Sequence, residues 1–466
     1  MNSQALNPTV KGATCPDLVN NILANDLCSS CGACVGICPT DALTIYPDRS
    51  YMPVLDEAKC KPGCGLCYMT CPGNGYPVVK WSEELMTHGT EWHPEYGPVR
   101  RYWRGISTDP EIRKTASTGG VATAVMLYLL ATKQVEDVGV VVMENDLPVV
   151  KLTHDPEVVK SAVGSKYGPA PMMEIFADIK KRPRKFAMTT VGCQMGAWMR
   201  ATEHFPHLRD CLLLSIGLYC GQVKAMDHIK YIAKSVGIDY PREAEFLGWR
   251  QGSYPGHSRF RMKADGQIVD KQLYGWLDLA VPYFSLNLCQ FCPDAGNWTS
   301  DLTLGDDHTQ KKKETITVCR TERGERIMTE ARDAGWLEFK EMDMDDVEHT
   351  VIRYITRSKL FPANVRGDWK RKKGEHAPQF DYDLSTLIPR AFFVHRRLWI
   401  LKYKMYMRVR RGLLNRILLS NTTVMERVGH FIYYFPGTLP GFKIAVKAAK
   451  GVRFILRKVR RPVPNR

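Results

Sequence analysis

Cys28-Ser-Ser-Cys31-Gly-Ala-Cys34-Val-Gly-Ile-Cys38-Pro39, followed by Cys60-Lys-Pro-Gly-Cys64-Gly-Leu-Cys67-Tyr-Met-Thr-Cys71-Pro72, decides how the chain begins to fold. The first run is C-x2-C-x2-C-x3-C-P, and the second differs by one extra residue in its first gap. This spacing suits a pair of cubanes. Three thiolates on a tight Gly-containing loop reach three irons of one cluster, and the fourth, ahead of Pro, reaches the other. Spacing therefore assigns Cys28, Cys31, Cys34 and Cys71 to one cluster, and Cys60, Cys64, Cys67 and Cys38 to the second. Structural zinc would want four ligands in two separated pairs, a poor match to three cysteines within seven residues in one run and within eight in the other.

Working outward, residues 20–80 read as a bacterial-type ferredoxin domain holding two [4Fe-4S] clusters. The opening MNSQALNPTV lacks the charged and apolar regions of a secretory leader, so the expected compartment is the reducing cytoplasm. There the 15 cysteines are read as metal ligands or redox groups before disulfides. At 466 residues the chain has room for about three domains. With 44% hydrophobic and 24% charged residues, wholesale disorder is excluded. The longest apolar run, Val121 to Ala131, is too short to span a bilayer.

The net charge of +16 is unevenly placed. Residues 391–466 hold 18 of the 65 Lys and Arg but one of the 49 acids, Glu426, leaving 47 basic and 48 acidic residues elsewhere. Within that extension Lys443, Lys447, Lys450, Arg453, Arg457 and Arg460 recur at helical steps, with Ile444, Val452, Ile455 and Val459 off the stripe. The pattern predicts a basic amphipathic helical tail that suits an anionic membrane surface, with packing on the body or docking of an acidic redox partner as the other uses. No nucleic-acid motif accompanies the charge, so nucleic acid is not an expected partner. The polar stretch 363–390 reads as a linker into this tail, and Trp92 to Arg104 as one leaving the ferredoxin unit.

Between these regions, strand-like runs (Val138 to Met143, Phe186 to Val191, Leu212 to Tyr219) alternate with helical ones, as in mixed α/β layers. Thr118-Gly119-Gly120 ahead of the helix Val121 to Ala131 would expose backbone N–H groups where a phosphate can bind. No G-x-G-x-x-G or Walker A loop occurs, so neither a Rossmann site nor an NTPase can be argued. Cys193 and Cys220 each follow a strand-like run, and Cys289-Gln-Phe-Cys292 forms a pair. On spacing alone these four are equally a third metal site or buried core cysteines. Cys15, Cys211 and Cys319 match no pattern.

A series of motifs then carries a resemblance: Thr115-Ala-Ser-Thr-Gly-Gly120, Gly164-Ser-Lys-Tyr-Gly168, Val191-Gly-Cys-Gln194, Ile216-Gly-Leu-Tyr-Cys220, Trp249-Arg-Gln-Gly-Ser-Tyr-Pro-Gly256, Cys289-x-x-Cys292-x-Asp294, Asp301-Leu-Thr-Leu-Gly-Asp306 and Arg320-Thr-Glu-Arg-Gly-Glu325. In this order they resemble the coenzyme F420 hydrogenase/dehydrogenase beta-subunit family, from about Tyr96 to Trp336. Gly192 stands where that family usually carries Pro.

The resemblance implies an α+β protein whose central mixed α/β domain, over 95–345, binds FAD on a non-Rossmann fold and carries a third [4Fe-4S] cluster. Cys193, Cys220, Cys289 and Cys292 become that cluster's ligands. Ser117, Thr118, Gly119, Gly120, Gly164, Ser165, Lys166 and Tyr167 become flavin contacts. The implied activity is an iron–sulfur flavoprotein oxidoreductase coupling hydride transfer at FAD to single-electron transfer. Its implied partners are a ferredoxin or another redox protein, and the reduced deazaflavin coenzyme. A non-catalytic electron-relay subunit of a larger redox complex is the alternative. No residue is singled out as a proton donor, and the organic substrate stays open.

Overall fold

The computed structural model describes residues 14–47, 50–235, 237–240, 244–248, 259–272, 284–307, 313–382 and 393–408. The motif Trp249 to Gly256 and the basic stripe Lys443 to Arg460 lie outside the described residues.

An eight-stranded sheet organises the central body. Its strands are β1 (Arg101–Ser107), β2 (Asp137–Glu144), β3 (Leu147–Thr153), β4 (Phe186–Thr190), β5 (Leu212–Leu218), β6 (Leu302–Asp306), β7 (Thr315–Cys319) and β8 (Leu337–Glu341), in the spatial order β8-β1-β7-β6-β5-β4-β2-β3. The four inner strands β6, β5, β4 and β2 run parallel, and antiparallel strands flank them on both sides. Continuous apolar runs explain the centre: Phe186, Ala187 and Met188 of β4 are fully buried, as parallel strands covered on both faces must be.

Seven helices position the site: α1 (Ala33–Ile37), α2 (Val121–Ala131), α3 (Pro156–Ser161), α4 (Gly192–His204), α5 (Glu322–Asp333), α6 (Val351–Arg371) and α7 (Phe393–Arg408). Helices α2 and α5 cover one face of the sheet, where Val125, Leu129, Leu214 and Ile327 are buried together. On the other face α4 packs Trp198 against Phe176 and Phe186.

The cysteine-rich N-terminal unit docks on that second face. Ile37 and Ala33 of α1 share a core with Met173 and Phe176. The approach is so close that a Cβ on Gly36 would lie 2.4 Å from the Met173 carbonyl oxygen. Arg200 of α4 donates to the carbonyls of Met69 (3.0 Å) and Gly75 (2.5 Å), reaching across to the second cysteine loop.

Two expected linkers are corrected. Trp92 to Arg104 is not a linker: Glu91–His93 pairs with Gly97–Val99, and Arg101–Ser107 enters the main sheet with alternating burial. Tyr96 and Trp103 in this stretch are buried, which is what its aromatic content was for. The polar stretch from residue 363 begins inside α6, so its residues up to Arg371 are helical. Of the tail, α7 is described, and it packs on the body. Tyr403 and Tyr406 are buried, and their hydroxyls donate to Asn287 Oδ1 (3.3 Å) and the Ser285 carbonyl (2.8 Å). No helix among the described residues is long and apolar enough to cross a membrane.

Candidate functional site

The first cysteine loop closes around a small void. Cys28, Cys31, Cys34 and Cys71 all line a cavity of about 20 Å³, the grouping that spacing assigns to one cubane. Backbone N–H groups point at the sulfurs, from Ser30 to Cys28 (3.3 Å) and from Gly73 to Cys71 (3.4 Å). Such N–H···S bonds suit a thiolate ligand and set cluster potential. Burial pushes the Cys28 thiol up to about 12. Burial also raises Cys34, with Cys28, Cys31 and Cys71 adding to it. Thiols crowded this way stay protonated until iron cations bind and reverse the balance.

In the second group, Cys38 differs. Burial pushes its thiol up, but N–H groups of Thr40, Ala42 and Leu43 outweigh that and lower it, as befits a thiolate ligand. Cys67 rises to about 11 through burial, and it senses both Cys38 and Cys71. Cys15, which matched no pattern, lies within hydrogen-bond reach of Cys67 and Cys60 and is buried beside them. It is a fifth thiol at this group, missed because a cysteine 45 residues upstream of Cys60 carries no spacing signal. Cys211 and Cys319 are ordinary buried cysteines, in a core edge and in β7. Among the described residues no three His, Cys, Asp or Glu close on one point tightly enough for a single ion, as zinc would require.

The four dispersed cysteines do converge. Cys193 sits in the first turn of α4, Cys220 just past β5, Cys289 on a turn at Asn287–Gln290, and Cys292 beyond it. Burial holds the Cys193 thiol well above its ordinary range, and the neighbours that add to this are Cys292, Cys31, Cys220 and Cys289. Cys31 belongs to the first loop, so the two groups of thiols are adjacent. The donor set is all sulfur, which suits an iron–sulfur cluster, and the Val223 N–H meets Cys289 Sγ at 3.4 Å. These residues fit a cubane.

Gly192, where the resemblance expects Pro, is explained by crowding. A Cβ there would stand 2.5 Å from Asp294 Oδ2. Asp294 is buried; it accepts from the Tyr76 hydroxyl (3.0 Å) and the Trp298 N–H (3.1 Å), tying the N-terminal unit to the Cys292 segment. Lys359 of α6 is buried against the same four cysteines. Burial works against its charge, but Cys292, Cys220, Cys289 and Cys193 outweigh that and hold its ammonium above the ordinary lysine range.

A cavity of about 320 Å³ opens at the carboxyl ends of the parallel strands, where open α/β sheets bind ligands. Its wall includes Ser117, Thr118 and Gly120 ahead of α2, and Gly164, Ser165, Lys166 and Tyr167 after α3. Cys193 and Cys220 also line it, as does Ser29 of the first cysteine loop, so two of the dispersed thiols border the space and the N-terminal loop reaches it. Gly120 caps α2 at φ +80°, a conformation glycine adopts without strain, and the first turn of α2, Val121 to Thr123, lines the cavity beside it.

Gly119 is the one expected contact that does not line it. Its N–H is used by Thr315 Oγ1 (2.9 Å), and a Cβ would lie 2.3 Å from the Gly105 carbonyl. Ser117 Oγ likewise accepts the Ser165 N–H (2.8 Å), closing the two loops on each other. Lys166 donates to the carbonyls of Ala162, Val163 (3.0 Å) and Gly164 (3.1 Å), and desolvation brings its ammonium down to about 7.

Two of the quoted motifs serve the scaffold instead. Asp301 is buried and accepts from the Ser215 N–H (2.8 Å) and Oγ (2.7 Å), from Thr321 Oγ1 (2.7 Å), and from Arg323 through both carboxylate oxygens (2.8 and 2.9 Å). Arg320 is buried and donates to carbonyls of Tyr96, Pro98 and Gly296.

Comparison with known proteins follows the same lines. The model for the N-terminal part of the coenzyme F420 hydrogenase/dehydrogenase beta-subunit family matches residues 102–177, and the model for the C-terminal part of the same family matches 183–345. A 4Fe-4S binding domain matches residues 23–44. An uncharacterized protein of Methanocaldococcus jannaschii is 25% identical over 380 residues, covering 72% of this chain and 95% of that protein. One of the subunits of the F(420)H(2) dehydrogenase of Methanosarcina mazei is 23% identical over 332 residues, 68% of this chain and 86% of its own. The beta subunit of the coenzyme F420 hydrogenase of Methanococcus voltae is 25% identical over 259 residues, 53% and 87% respectively. In fold, the chain is similar to one chain of the F420-reducing [NiFe] hydrogenase complex from Methanosarcina barkeri, with a TM-score of 0.51 and 20% identity over 62% of this chain and 99% of that one.

Proposed function

The chain belongs to the coenzyme F420 hydrogenase/dehydrogenase beta-subunit family, and on that premise we propose that it is an iron–sulfur flavoprotein oxidoreductase. Residues 20–80 form its single-electron unit, 95–345 its FAD- and cluster-binding body, and 391–466 its C-terminal extension. Three [4Fe-4S] clusters are held by the twelve cysteines already grouped. The observation that carries this reading is the shared cavity: Ser117, Gly120, Lys166 and Tyr167 line one side, and Cys193, Cys220 and Ser29 another.

FAD bound in that cavity supplies the exchange between hydride pairs and single electrons. The chain's own part is binding and orientation. The first turn of α2 presents N–H groups to a pyrophosphate. Lys166 brings to the wall an amine that a bound anion would keep protonated, and Gln194 braces the cysteine-bearing turn by donating to the Ala170 carbonyl (2.8 Å) and accepting the Val191 N–H (3.0 Å). The hydride partner in this reading is the reduced deazaflavin coenzyme, and the single-electron partner a ferredoxin or another redox protein. Anaerobic iron, sulfide and flavin analysis of the full chain is expected to return about twelve irons and about one FAD. Flavin absent with the clusters intact would overturn it.

That outcome would favour the relay reading, which the names of two relatives support: both are subunits, of an F420H2 dehydrogenase and an F420 hydrogenase. For the stripe Lys443 to Arg460 the proposed surface is an anionic membrane. Charge reversal at Lys447, Arg453 and Arg457 is expected to release the protein from anionic vesicles at low salt. Unaltered protein that ignores such vesicles would end this part of the reading.

A further inference from the structure

Helix α6 begins after residue 345, where the match to the family's C-terminal model stops. Ile352, Thr356, Lys359, Ala363 and Arg366 recur at steps of four and three, the inward stripe of a helix. Ile352, Thr356 and Ala363 are buried, and Arg366 donates to the Gln290 carbonyl (3.1 Å) on the turn that carries Cys289. The stripe is thus laid against the cysteine segment. At its centre stands a lysine, 7% exposed.

A buried ammonium needs an anion or a strong acceptor, because desolvating an unpaired charge costs several kcal/mol. Among the described residues Lys359 forms no ion pair. The groups it faces are Cys292, Cys220, Cys289 and Cys193, with Asp294 behind them. Uncharged core thiols would give the cation nothing to face. Four thiolates around a cubane carry net negative charge.

We propose that Lys359 is the counter-cation of the cluster held by Cys193, Cys220, Cys289 and Cys292, and that it raises that cluster's reduction potential. The inference rests on the three-cluster reading. Reduction adds one electron to the cluster and moves no proton, since the lysine is already cationic. A fixed positive charge stabilises the more negative, reduced form, and net charge and hydrogen bonds at the sulfurs are what set such potentials. Electrons would then settle on the cluster that borders the cavity.

The test is an EPR-monitored redox titration of the full, reconstituted chain with dithionite as reductant. The signal of this cluster is identified as the one lost, with about four irons, in C289S/C292S. In Lys359→Gln the reduced-to-oxidised ratio at the wild-type midpoint is expected to fall at least tenfold, which for one electron is about 59 mV. Lys359→Arg, which keeps the charge, is expected to stay within about threefold, and the two N-terminal clusters to stay put in both. A midpoint unmoved in Lys359→Gln overturns this inference alone. Iron unchanged in C289S/C292S overturns the three-cluster reading and this inference with it. If Lys359→Gln loses the cluster, pulsed EPR of wild-type protein carrying side-chain ¹⁵N-lysine decides. A ¹⁵N coupling to the reduced cluster that disappears in Lys359→Arg supports the counter-cation, and no coupling rejects it.

Discussion

The two cysteine-bearing regions are built in opposite ways. In the N-terminal unit, Cys28, Cys31 and Cys34 share one loop, and only Cys71 arrives from the second run to close the void around them. In the central body, Cys193, Cys220, Cys289 and Cys292 span 100 residues and are gathered by the sheet. Parallel neighbours β4 and β5 end side by side, so Cys193 and Cys220 meet without any local motif, and the Cys289–Cys292 turn is pressed onto them by α6. A local site needs only a loop; a dispersed site needs the whole fold.

The sharpest way to break this contrast is to remove ligands from each region in turn. C289S/C292S is expected to cost about four irons and leave the N-terminal EPR signals, while C34S is expected to do the reverse. Loss of all iron in either variant would show that the two regions do not assemble independently.

The dispersed site should also depend on scaffold residues that touch no cluster. Asp301→Ala strands the Ser215 N–H, the Ser215 and Thr321 hydroxyls and half-exposed Arg323, and is expected to destabilise the central body by about 3 kcal/mol. Urea titration followed by far-UV circular dichroism would read it, and an unchanged midpoint would remove Asp301 from the scaffold.

A smaller loss is expected at the seam between the regions. Gly36→Ala places a Cβ 2.4 Å from the Met173 carbonyl oxygen, overpacking that should cost about 1–3 kcal/mol. Since the clash lies between the N-terminal unit and the body, tryptic cleavage between them is expected to speed up. Wild-type cleavage rates would argue that the seam simply yields.

The smallest expected effect is a pH slope. Lys166 is held near 7 in the folded chain but titrates in the ordinary lysine range when unfolded. Between those values the unfolded state binds more protons, so stability should rise with pH across that window. Lys166→Met should flatten the slope, as measured by urea midpoints at pH 7 and pH 10. Identical slopes in both proteins would assign the dependence elsewhere.

Reading the chain alone reached the iron–sulfur character of the N-terminal loops, the helix Val121 to Ala131 and three of the inner strands, because each is written within a dozen residues of local spacing or periodicity. Of the eight flavin contacts it expected, seven line the cavity, though Gly164 to Tyr167 were singled out through motif order alone, since Gly164 and Lys166 mean little by themselves. What it could not reach depends on partners far away in the chain. Gly192 follows from the carboxylate of Asp294, and the supposed linker at Trp92 to Arg104 from the strand it becomes. Cys15 matters through Cys60 and Cys67, and Lys359 through four thiols on other elements. Local spacing therefore determined which cofactor chemistry the N-terminal loops accept, since a cubane's ligands lie within reach of one short backbone. Only the tertiary structure decided where the other four thiols, their buried cation and the cavity meet, because strand order and helix packing, unlike spacing, are long-range.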